Sequence, residues 1–80
     1  MADLVMYGTP TCSDCRRSKR FLEERGIAYD YVDLEHDAEA TALVVRLNGG
    51  RRTVPTIVFA DGSFLAEPTD AELAAKLGVS

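Results

Sequence analysis

Histidine occurs once in this chain of 80 residues, cysteine twice and proline three times. No apolar run approaches the roughly 18 residues that a membrane-crossing helix needs, so no membrane partner is expected. One histidine and two thiols fall short of the four ligands of a structural zinc site, so a single copy is expected to hold no metal. A disulfide framework is excluded by magnitude. A bridge between Cys12 and Cys15 closes so short a loop that chain entropy gives roughly 2 kcal/mol, against about 4.7 kcal/mol for a loop of 100 residues. Small secreted domains carry several bridges, whereas cytosolic thiols are kept reduced. Residues 1–7 lack the basic region and apolar core of a secretion signal, and a cytoplasmic protein is the expectation. A net charge of -4 argues against nucleic acid as a partner, because that binding needs a broad basic surface.

What is present fits one domain over residues 1–80, with an ordinary 46% hydrophobic and 28% charged composition. Leu4, Val5, Met6 and Tyr7 read as a buried strand ended by Gly8, Thr9 and Pro10. Residues 12–25 contain no glycine or proline and precede Gly26, which predicts a helix with Cys15, Ser18, Phe21, Leu22 and Arg25 facing inward. Its bases, Arg16, Arg17, Lys19 and Arg20, are expected on the later turns, where the dipole is negative. Residues 29–34 alternate as a second strand. Asp37 then caps a helix running to about Asn48, with Ala38, Ala42, Leu43, Val45 and Leu47 as its packing residues. Thr56, Ile57, Val58 and Phe59 form a third strand, Asp61-Gly62 a hairpin turn, and residues 63–65 a fourth. Thr69 and Glu72 make a capping box for a last helix ending before Gly78. The order β-α-β-α-β-β-α calls for an α/β fold, a mixed sheet of four strands with helices on both faces.

The pair Cys12-Ser13-Asp14-Cys15 falls where the first strand gives way to the first helix. The thiolate is the form that attacks a disulfide, and a helix N-terminus favours an anion through its unpaired N–H groups and its dipole. Cys12 is expected to be exposed there as the attacker, with Cys15 shielded one turn further on as the resolver. Asp14 works the other way, since a like charge near the thiolate disfavours ionisation. His36 reads as a surface or capping residue. Pro55 opens the strongest strand without a ladder donor, and a cis Val54–Pro55 bond would leave the Val54 backbone free to pair with an extended substrate. Arg51 and Arg52 adjoin that loop and are expected to help receive an anionic substrate.

Taken with residues 27–30, 48–56 and 59–63, the stretch Met6-Tyr7-Gly8-Thr9-Pro10-Thr11-Cys12-Ser13-Asp14-Cys15 resembles the glutaredoxins. Within them it is most similar to the mycoredoxins, which use mycothiol in place of glutathione. The resemblance covers nearly the whole chain. It implies a thioredoxin-like fold with Pro55 cis and against the cysteines. It implies catalysis by Cys12 and Cys15 on mixed disulfides between proteins and a low-molecular-weight thiol; a monomer without a bound cofactor is the expectation. The co-substrate would be mycothiol, or else glutathione, kept reduced by an NADPH-dependent reductase. Thr53, Val54 and Pro55 match the family's substrate-binding loop, and Thr69 and Asp70 match the residues that receive the small thiol's carboxylate. Two departures point away from glutathione: no lysine shortly precedes Cys12, and Ser13-Asp14 replaces the frequent aromatic between the cysteines. Two other classes remain. One is a dithiol electron carrier reduced by a thioredoxin-reductase-type flavoenzyme and serving, for example, ribonucleotide reductase. The other is a non-catalytic binding module whose thiol pair is vestigial or holds a metal or an iron–sulfur cluster.

Overall fold

Alternation along the first strand decides how the layers assemble. In the computed structural model, which describes residues 4–79, β1 (Leu4–Gly8) buries Leu4, Met6 and Gly8 on one face and half-buries Val5 and Tyr7 on the other. The expectations for residues 1–3 lie outside the described residues. Helix α1 (Ser13–Glu24) follows, then β2 (Asp30–Asp33), a short 3-10 turn (Leu34–His36), α2 (Ala38–Leu47), β3 (Thr56–Phe59), β4 (Phe64–Ala66) and α3 (Asp70–Leu77). The sheet order is β2-β1-β3-β4, with β1 and β2 parallel and the other two pairs antiparallel. This is the expected α/β architecture: a four-stranded mixed sheet with helices on both faces, in a thioredoxin-like arrangement.

The two faces carry separate cores. Leu4, Met6, Ile57 and Phe59 from the sheet meet Phe21 and Leu22 of α1 and Leu73 of α3. On the opposite face Leu34, Ala40 and Val44 pack with Tyr7, Val32 and Val54. The second cluster corrects the expected packing face of α2. Ala38 and Ala42 are exposed, Leu43, Val45 and Leu47 are half-buried, and the fully covered positions are Ala40 and Val44. The helix carries apolar residues around most of its circumference, so periodicity alone does not select a face. The 3-10 turn, which brings Leu34 under the helix, does.

Helix ends match their signals. Asp37 accepts from Ala40 N–H at 2.9 Å, and the Thr69–Glu72 box closes in both directions, at 3.1 and 2.8 Å. The α1 bases do not gather at its C-terminus as expected; the last turn has none, and Glu23 and Glu24 stand there. Arg16 and Arg17 instead turn to the N-terminal end, Arg16 donating to Pro10 O at 3.1 Å. Nor does Arg25 face inward. It is the exposed C-cap residue, and its guanidinium lies 3.7 Å from the Phe21 ring centroid.

Candidate active site

Cys12 is the N-cap residue of α1, with extended backbone (φ -85°, ψ 118°). At this position a side chain meets the unpaired N–H groups of the first turn. Its sulfur takes the place usually held by an oxygen and accepts from Cys15 N–H at 3.3 Å. From the other side Val54 O lies 3.9 Å away and receives the Cys12 thiol hydrogen. Cys12 is therefore half-buried, more covered than the expected open position, because the loop before β3 lies over it. Both thiols are free. Cys15, one turn on, is 1% exposed. Burial pushes its thiol up to about 12, against a pull down by the Thr9 backbone, with the neighbouring Cys12 and Asp14 raising it further. At neutral pH it is a buried, neutral thiol.

The Val54–Pro55 peptide is cis, as the family resemblance implies. Three contacts fix the loop that carries it. Thr56 Oγ1 donates to Thr53 O at 2.7 Å, Asn48 Nδ2 donates to Thr56 Oγ1 at 3.1 Å, and Glu67 N–H donates to Pro55 O at 2.8 Å. Thr53 and Val54 are half-buried and Pro55 is buried. Thus Cys12, Cys15, Val54 and Pro55 come together, with Thr53 adjoining.

Thr69 and Asp70 approach the same end of the molecule through a residue that sequence reasoning did not single out. Arg17 pairs with Asp14 at 3.3 Å and with Asp70 at 3.6 Å, and donates to Pro68 O at 3.1 Å. One guanidinium therefore ties the first turn of α1 to the first turn of α3. The signal for half of this bridge was present in the i,i+3 spacing of Asp14 and Arg17; the partner 53 residues away from Arg17 had none. The carboxylate between the cysteines is thus paired with a cation. Arg51 and Arg52 are exposed, and no hydrogen bond or ion pair engages them among the described residues.

Outside this site, His36 is exposed and its Nε2 lies 3.8 Å from Asp33 Oδ2, in keeping with the expected surface role. Among the described residues no helix is long and apolar enough to cross a membrane.

The glutaredoxin family model matches residues 4–65. A Mycobacterium tuberculosis protein carrying a provisional glutaredoxin name is 50% identical over 76 residues, covering 95% of this chain and 90% of that protein. Mycoredoxin 1 of Corynebacterium glutamicum is 36% identical over 77 residues, 96% of this chain and 95% of its own length. The crystal structure of the glutaredoxin from Methanosarcina mazei Go1 superposes with a TM-score of 0.82 at 28% identity, covering 96% of this chain and 79% of that one.

Proposed function

The chain belongs to the glutaredoxin family of thiol–disulfide oxidoreductases, and on that premise we propose that it reduces mixed disulfides between proteins and mycothiol, with Cys12 as the attacking sulfur. A low-molecular-weight thiol as co-substrate follows from the mycoredoxin relative; mycothiol, rather than glutathione, is the finer reading. The observation that carries the assignment of roles is the contrast between the two sulfurs. Cys12 sits half-exposed at a helix N-terminus with a backbone N–H on its sulfur, while Cys15 is sealed and protonated.

The chemistry is two exchanges. The Cys12 thiolate attacks the mycothiol sulfur of the mixed disulfide, the protein leaves as a thiolate and takes up a proton, and mycothiol is now bonded to Cys12. A second mycothiol thiolate attacks that mycothiol sulfur. Cys12 is released in reduced form, and the symmetrical mycothiol disulfide is left for an NADPH-dependent reductase. Val54 O, which faces Cys12 in the resting site, and the loop from Thr53 to Pro55 align the substrate backbone. Thr69 and Asp70 at the start of α3 receive the polar body of the small thiol. Thr69 N–H is held by Glu72 at 2.8 Å, so its use by a ligand requires that carboxylate to swing aside. Arg51 and Arg52 supply positive charge beside the loop. The protein acts as a monomer.

The test couples the protein to NADPH with mycothiol and its reductase, with glutathione and glutathione reductase, or with thioredoxin reductase. Turnover sustained by mycothiol is expected. Turnover with thioredoxin reductase alone identifies a dithiol electron carrier, and turnover only with glutathione moves the assignment to that thiol.

A further inference from the structure

Six glycines are present, and Gly8 is unlike the other five. Those five have φ between +67° and +107°, and a Cβ added to any of them meets nothing within 4 Å. They are glycines for the sake of the backbone. Gly8 ends a regular strand, paired with Asp33 of β2, and its φ lies outside the left-handed region. No backbone requirement accounts for it, and a glycine in a strand weakens the strand. A Cβ at position 8 would lie 2.7 Å from Cys15 Sγ and 3.3 Å from Cys15 Cβ, with Tyr31 Cε1 at 3.5 Å closing another side. The first distance is far inside van der Waals contact. The second involves an atom fixed to the α1 backbone, so turning the sulfur away removes only part of the overlap.

We infer that Gly8 is a positioning residue for the second thiol: the side chain it lacks is the seat that reduced Cys15 Sγ occupies, and this seat withholds Cys15 from external reagents and disulfides. Cysteine has one side-chain torsion, and in a helix one of its three wells is rarely available. A methyl group at position 8 takes the present well from the sulfur. Tyr31 lines the same space, with Lys19 Nζ 4.5 Å from its ring centroid, so the way toward β2 is closed as well. The sulfur then moves outward, into water. The seat therefore makes Cys12 the thiol that meets substrate first. That consequence rests on the proposed roles of the two cysteines; the seat does not.

The experiment reads Cys15 directly. In a Cys12→Ala background Cys15 is the sole thiol, and its alkylation by iodoacetamide is followed against pH with and without Gly8→Ala. A buried, protonated thiol reacts slowly because the thiolate is the nucleophile. Gly8→Ala should speed alkylation about tenfold or more near pH 8 and move the pH profile to lower pH. An unchanged rate and profile in a folded protein overturns the inference. Thermal midpoints supply a second reading that stands even where Gly8→Ala fails to fold. Any loss caused by Gly8→Ala should shrink markedly when Cys15→Ala removes the sulfur, leaving only the milder contact with Cβ at 3.3 Å. A loss undiminished in the double variant means that position 8 acts through something else, and likewise overturns the inference. Neither readout involves turnover, so an inactive wild type in the coupled assays would defeat the proposed function and leave the measurement of the seat intact.

Discussion

Raising the pH should destabilise the fold through Cys15, and the size of the effect follows from its burial. An ordinary cysteine titrates near 9.0, and burial moves this one to about 12. Between those values the unfolded chain has lost the Cys15 proton and the folded chain still holds it. Stability falls wherever the folded state binds more protons than the unfolded one. The contribution is fully present below pH 9 and is lost as pH rises toward 12. Each pH unit in this window removes about 1.4 kcal/mol, so about 2 kcal/mol is gone by pH 10.5 and about 4 kcal/mol is the ceiling. Small domains are stable by about 5–15 kcal/mol, so the loss is measurable. The assay is urea unfolding at about pH 8, 9.5 and 10.5 under a phosphine reductant, for wild type and Cys15→Ser. Serine carries a pH-independent cost for a buried hydroxyl and does not titrate here. Tyr29 is raised to about 12 by burial and by its bond to Glu23, and it adds its own slope above pH 10. It is present in both proteins and cancels in the difference. Parallel stability curves for the two proteins would refute the reasoning.

Cys12→Ser should abolish both mixed-disulfide release and protein-disulfide reduction, since the remaining thiol is sealed; retained activity, with Cys15→Ser inactive instead, would reverse the roles. Cys15→Ser should leave mixed-disulfide release largely intact, because an external thiol frees Cys12, and should remove protein-disulfide reduction; equal loss of both favours the dithiol carrier. Arg51→Ala with Arg52→Ala should cut catalytic efficiency for an anionic mixed disulfide several-fold at low salt, with the gap narrowing as salt screens the charges and with the thermal midpoint unchanged. Equal efficiency at low salt would leave these arginines as solubilising surface.

The sequence made the fold legible where a local signal coincided with an element end. Asp37, Thr69 and Gly78 are caps whose chemistry is complete within one turn, and helices start or stop at them. The α1 face from Cys15 to Leu22 was legible because its other side is charged. The α2 face was not, because the choice between Ala42 and Val44 depends on the Leu34 turn beneath it. At the site, the spacing of the cysteines, the helix start and the loop before β3 were readable. The Arg17 bridge to Asp70 and Pro68 was not, for it joins helices whose approach is a product of the fold. The crowding of Gly8 against Cys15 was equally hidden: β1 and α1 are adjacent in sequence, yet the 2.7 Å approach depends on how the helix settles on the sheet.

Two cysteines three residues apart thus differ through what the fold lays against each. The motif itself gives both sulfurs one side of the helix and gives Cys12 the N-cap. It does not give Cys15 its cover, which comes from β1, nor Cys12 its facing carbonyl, which comes from a loop 42 residues away. The same division explains how Asp14 is accommodated between the thiols. A lone carboxylate there would oppose a thiolate two residues away, but Arg17 holds it and Asp70 together and hydrogen-bonds Pro68 O. Exposed ion pairs of this kind contribute only about 0–1 kcal/mol to stability, so the cluster is a weak support for the fold. Its consequence is local and electrostatic: two acidic side chains at the site share one cation, so each is partly offset. Under the proposed function the remaining positive charge comes from Arg51 and Arg52, which stand exposed in the stretch before Thr53.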